Sequence, residues 1–129
     1  MGNPVMHFEL WSKTPEKVGA FYRDVFGWSI QPSGPLDYHQ VQTGSDLGIC
    51  GGIMTPPQPE PWPGNMSFYI AVDDLAAARN KVQGAGGKIL LEEQEVPGMG
   101  SFSLFSDPDG RVVGIWKNAN PEMAAKKSQ

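Results

Sequence analysis

The chain has 129 residues, 40% of them hydrophobic and 19% charged, with a formal net charge of -4. That length predicts one ordinary domain, with roughly 68% of the unfolded chain's surface available for burial. The acidic balance argues against a nucleic-acid surface, and a single cysteine, Cys50, excludes an internal disulfide and a cysteine-rich zinc site.

The opening MGNPVMHFEL has no basic stretch leading into a long apolar run, so no signal peptide is expected. Met6 stands where a myristoylation pattern needs Ser or Thr. No apolar run approaches ~18 residues, so no membrane span is expected. The reading is a cytoplasmic protein with neither nucleic acid nor membrane as partner.

VMHFELWS (5–12) reads as a strand, with Val5, His7 and Glu9 on one face and Phe8 and Leu10 on the other. A helix follows: Thr14 suits the N-cap, Pro15 the first helical position and Glu16 the acidic first turn. Val18, Phe21, Tyr22 and Val25 recur at helical spacing, and Gly27 can close the helix. WSIQP, DYHQVQTG and LGICGGIM are expected strands. TPPQPEPWPGN (55–65) carries five prolines and reads as an extended linker that resists helix and sheet. The same run is a candidate ligand for a proline-reading domain.

The order then repeats. MSFYIAV is a strand, Asp73 or Asp74 caps a helix holding Leu75, Ala78 and Val82, and GAGG ends it. That glycine run follows a helix instead of opening one, so it is no phosphate cradle. KILLEEQEV, GSFSLFS and RVVGIWK are three more strands, the last two joined by the tight turn DPDG. The tail NANPEMAAKKSQ is polar and reads as frayed or as a short surface helix. At a 60-residue offset Phe8 falls on Phe68, Leu10 on Ile70, Gly27 on Gly87, and Glu9 on Tyr69; with two extra residues Gly52 falls on Gly114. Gly114 is notable because glycine in mid-strand has no side chain to pack and weakens the strand. The question it raises is what that glycine makes room for.

HFELWSKTPEKVGAFYRDVFGW, FYIAVDDLAAA and DPDGRVVGIW resemble the vicinal oxygen chelate superfamily, the group of glyoxalase I, extradiol dioxygenases, fosfomycin-resistance enzymes and bleomycin-resistance proteins. The likeness runs over residues 5 to 117. It implies an α+β fold of two tandem βαβββ modules, curled mixed sheets around a cleft, and a homodimer. The modules would span about 4–55 and 65–117, with linker 56–64 and tail 118–129. Phe8, Leu10, Phe68, Ile70, Val113 and Ile115 would pack under the helices.

Metal-dependent members place one ligand on the first and one on the last strand of each module. Those positions fall here on His7, Gly52, Ser67 and Gly114, so one of four keeps a ligand-type side chain. The expectation is a metal-free, cofactor-free protein that binds a small molecule in the cleft, with Gly52 and Gly114 as its open floor. Its lining would be His7, Glu9, Cys50, Gly52, Met54, Ser67, Tyr69, Gly114 and Trp116. The alternative is a lyase, isomerase or dioxygenase using His7 and Glu9 as an acid–base pair or as relocated metal ligands. Each residue also has a structural reading. His7 could be a satisfied strand histidine and Glu9 a solvated strand-end charge. Tyr69, Met54 and Trp116 could simply pack the core, and Cys50 could be a small buried filler. His39 is expected at the surface unless it faces inward to rejoin a metal site.

Overall fold

The described residues, 2–33 and 38–119 of a computed structural model, form two βαβββ modules in tandem. The first comprises β1 (Val5–Trp11), α1 (Pro15–Phe26), β2 (Ser29–Ser33), β3 (Tyr38–Gln42) and β4 (Gly51–Met54). The second comprises β5 (Met66–Ala71), α2 (Leu75–Gly84), β6 (Lys88–Val96), β7 (Gly100–Ser106) and β8 (Val112–Asn118). Asp37 of the expected third strand, and the tail from residue 120, lie outside the described residues.

Local chemistry sets the boundaries. Pro15 opens α1 because its fixed φ suits a first helical position. Gly27 closes it in the left-handed region at φ 75°, donating its N–H to the Arg23 carbonyl at 2.8 Å. Thr14 flanks α1 without a side-chain capping bond, whereas Asp74 caps α2 by accepting the Ala77 N–H at 3.0 Å. The fourth strand is shorter than expected. Thr43 and Ser45 hydroxyls accept the N–H groups of Ser45 and Leu47, and Gly48 turns at φ 76°. These side-chain turns compete with the ladder and delay β4 to Gly51. Between β7 and β8, Asp107 Oδ1 accepts the N–H groups of Asp109 and Arg111, both at 2.9 Å. The Arg111 N–H foremost, then its guanidinium and the Asp109 N–H, hold the Asp107 carboxyl below its ordinary range.

Each module has the strand order outer hairpin, last strand, first strand: β2-β3-β4-β1 and β6-β7-β8-β5. The first and last strands of each module run parallel, and the other pairs are antiparallel. The repeat holds to the residue. Glu9 is opposite Gly52 and Leu10 opposite Ile53; Tyr69 is opposite Gly114 and Ile70 opposite Ile115.

The helices cover one face of each module, α1 over β2–β4 and α2 over β6–β8. Under α1, Val41 and Ile53 are fully buried; on α2's face, Val113 and Ile115 are buried. Arg79 of α2 donates to Ser103 Oγ, marking that face of β7. Phe8, Leu10 and Ile70 are only half-buried, and Phe68 is 39% exposed, because the helices sit over the later strands of their modules. The inward side of α1 also differs from the expected stripe: Pro15 and Gly19 are buried while Phe21 and Val25 are exposed. Gly19 lies close to the Ile30 side chain, so the helix approaches β2 where its residues are small.

Contacts divide the chain into two compact units. One runs Met6–Phe68; the other takes the residues up to Val5 with those from Tyr69 onward. The opening residues join the later unit through Ala71, whose N–H donates to the Pro4 carbonyl at 2.9 Å and whose carbonyl accepts the Asn3 amide at 3.0 Å.

Candidate functional site

The face of the first module turned away from α1 is polar. His7 and Glu9 project from it on β1, Gly52 and Met54 on β4, and Tyr38 and Gln40 on β3. The Tyr38 ring lies across Gly52: a Cβ built there would collide with the phenol hydroxyl and Cζ. That hydroxyl reaches His7 Nε2 at 2.5 Å, with the two rings within 17° of parallel. Glu9 is 5% exposed and accepts the Trp11 indole N–H at 2.7 Å.

Burial lowers the His7 pKa to about 4, so the imidazole is neutral at pH 7. Burial first, and the Glu9 charge second, push the Tyr38 pKa above its usual value, so the phenol keeps its proton. The two groups are therefore both uncharged, and one proton is shared along the Nε2–hydroxyl hydrogen bond.

The corresponding face of the second module is aromatic. The Tyr69 ring covers Gly114, where a Cβ would run into it. Tyr69 meets Phe102 edge-on at 5.8 Å, and Phe102 stacks with Trp116 at 6.3 Å and 15°. The Trp116 indole donates to Asn118 Oδ1 at 2.9 Å, which fixes the ring. Tyr69 is buried; Trp116 and Phe102 are half-buried.

The expected residues therefore gather in two groups. His7, Glu9 and Gly52 meet around Tyr38; Tyr69, Gly114 and Trp116 meet around Phe102. Met54 is half-buried and paired with Trp11. Ser67 is buried, its hydroxyl donating to the Phe68 carbonyl at 3.4 Å.

Three expectations are corrected. Cys50 is exposed rather than a buried filler, because β4 begins only after it. Gly52 and Gly114 are not open floor: each makes room for a tyrosine ring. His39 is not a surface histidine. It is 5% exposed and lines a 200 Å³ cavity with Glu16, Gly19, Ala20, Arg23, Ile30 and Pro32, on the α1 side of the sheet.

Tyr38 was the residue hidden in the sequence. A signal was present: His39 shares its parity with apolar Val41, which puts Tyr38 and Gln40 on the other face. Phe102 likewise shares parity with Leu104.

These residues do not fit a divalent ion at the positions the resemblance assigns. Tyrosine rings cover Gly52 and Gly114, and His7 Nε2 is hydrogen-bonded to Tyr38. No group of three His, Cys, Asp or Glu suited to a metal gathers among the described residues.

A protein from Mycobacterium tuberculosis named glyoxylase CFP32 is 33% identical over 114 residues, spanning 86% of this chain and 42% of that one. The anthracycline biosynthesis protein DnrV of Streptomyces peucetius is 27% identical over 131 residues, spanning 91% and 48%. The chain thus spans less than half the length of these two curated relatives. A solved glyoxalase/bleomycin resistance protein/dioxygenase superfamily member from Vibrio splendidus shares the fold at a TM-score of 0.65 and 16% identity, covering 91% of this chain and all of that one. Residues 5–115 match the family model described as Glyoxalase/Bleomycin resistance protein/Dioxygenase superfamily, and with the paired βαβββ modules this places the chain in that superfamily.

Proposed function

We propose that the chain binds a small organic molecule on the β1–β3 face that carries His7, Glu9 and Tyr38, without a resident divalent ion. The observation that carries this reading is the Tyr38 hydroxyl standing over Gly52 and bonded to His7 Nε2 at 2.5 Å. The phenol oxygen takes up Nε2 of the one imidazole at the four family positions. Membership of a family with small-molecule members supports it, as do the names of the longer relatives, a glyoxylase and an anthracycline biosynthesis protein. The test is elemental analysis of protein purified without chelator, with thermal unfolding before and after EDTA. Zinc, nickel, iron and manganese should fall far below one ion per chain, and EDTA should leave the transition unmoved. A stoichiometric ion lost with His7→Ala would overturn the reading.

A second reading, acid–base catalysis, rests on the same pair. The imidazole is unprotonated at pH 7 and so able to take a proton, although its lowered pKa makes it a weak base, and the phenol beside it still holds a proton. Turnover of any bound ligand that falls with both His7→Gln and Tyr38→Phe would favour it; binding without conversion would dismiss it.

A further inference from the structure

We propose that the outer face of α1 is the contact through which two copies of this chain pair, their helices antiparallel across a two-fold axis near Phe21. This goes beyond the ligand reading of the β1–β3 face and does not depend on it. It starts from the apolar stripe that the structure turns outward. Val18, Phe21, Tyr22 and Val25 recur at helical spacing, yet the buried residues of the helix are Pro15 and Gly19. Phe21 is left 57% exposed, Val25 55% and Phe26 63%. Phe21 meets Tyr22 edge-on at 5.1 Å, Tyr22 stacks on Trp28 at 4.7 Å and 10°, and Trp28 lies 5.5 Å from Phe8 of β1. The aromatic patch therefore runs unbroken from the sheet to the outside of the helix. Its rings hold one another in place before any partner arrives, which lowers the ordering cost of covering it.

Charges on the same face decide which occupant fits. Lys17, Phe21 and Asp24 stand at i, i+4 and i+7, one row on the side opposite Pro15 and Gly19. Lys17 and Asp24 are exposed, the positive charge toward the start of the helix and the negative one toward its end. Such a row is complementary to its own reverse. With two helices antiparallel, Lys17 of each copy faces Asp24 of the other, and the Phe21 rings meet near the axis. A parallel pairing would set lysine against lysine and aspartate against aspartate. Asp24 already accepts from Arg23 Nε at 3.4 Å through Oδ1, a long exposed contact, and its second oxygen can serve the incoming lysine. The charged residues of α1 are Glu16, Lys17, Arg23 and Asp24, which cancel, so the helix presents no basic face to an anionic membrane.

Sedimentation of the full chain over a concentration series measures the pairing. The native protein should approach twice the 14.0 kDa chain mass as concentration rises. Phe21→Glu should raise the dissociation constant about 30-fold or more, as expected for loss of a central aromatic anchor. Lys17→Glu and Asp24→Lys each set like charges together at both symmetry-related contacts, so each variant alone should also pair more weakly. Mixed in equal amounts, the two should recover dimers of native strength, because every contact in the mixed dimer again joins opposite charges. Both changes lie on exposed positions and suit the helix dipole at their own ends, so the fold should survive them, which thermal unfolding checks. If Phe21→Glu fails to fold, the mixing experiment decides. A native protein that stays at the single-chain mass, the result if some other partner covers this face, would overturn the proposal. So would a dimer indifferent to Phe21→Glu, or charge variants that do not complement each other.

Discussion

Four strand glycines each lie against an aromatic side chain at the scale of single residues. Gly51 is covered by Phe8, Gly52 by Tyr38, Gly100 by Trp116 and Gly114 by Tyr69. At Gly52 and Gly114 the ring is what a Cβ would strike first, whereas at Gly51 and Gly100 a backbone carbonyl oxygen, of Phe8 and Lys117, stands nearer still. Gly114→Ala should therefore destabilise the protein by about 1–3 kcal/mol through overpacking. Gly114→Glu, which also buries a charge, should cost more, on the order of 3 kcal/mol or above. Chemical denaturation checks both, and Tyr69→Ala in the Gly114→Ala background should recover part of the alanine cost if the ring is the obstacle. Equal stability of native protein and Gly114→Ala would show that the ring is not held there.

His7 supplies a pH dependence at the same scale. Its folded pKa, lowered to about 4, lies below the ordinary 6.5, so between those values the unfolded chain binds more protons than the native one. Stability from this group is complete above about pH 6.5 and is lost as pH falls toward 4, by a total on the order of 3 kcal/mol. Denaturation midpoints at pH 7 and pH 4.5 should diverge in the native protein and much less in His7→Gln. An NMR titration placing the His7 midpoint near 6.5 would contradict this.

The two modules, at the scale of elements, start their helices differently. Asp74 bonds the Ala77 N–H, whereas Thr14 makes no side-chain cap and leaves α1 to Pro15 and the left-handed Gly27. Asp74→Ala should cost about 1 kcal/mol and Thr14→Ala only a small fraction of that. Equal losses in thermal unfolding would mean the cap geometry is not what distinguishes the helices. The helices also explain which apolar strand residues are buried. Because α2 lies over β6–β8, Val113 and Ile115 are covered while Phe68 on β5 stays 39% exposed.

For the whole molecule, one topology carries two kinds of surface. The strand orders and registers of the modules match, yet the face away from the helix is polar in the first and aromatic in the second. The equivalent residues Glu9 and Tyr69, each opposite a glycine, state the difference most compactly. No helix among the described residues is long and apolar enough to cross a membrane.

Much of this was legible in the chain itself. Periodicity and turn residues determined the order of elements, since Pro15, Gly27, Asp74 and the DPDG turn act locally. The 60-residue offset likewise paired Glu9 with Tyr69 and, two residues longer, Gly52 with Gly114 before any register was known. Parity put His7 and Glu9 on one face. What only the tertiary structure decided is what fills the space above each glycine. That depends on long side chains reaching from a neighbouring strand, Tyr38 diagonally from β3 over Gly52 of β4 and Tyr69 from β5 over its register partner Gly114 of β8, and no local pattern specifies such reach. The burial of His39 and the exposure of Phe21, Val25 and Cys50 were decided the same way, by where α1 lands and where β4 begins. Both are set by packing between segments distant in sequence.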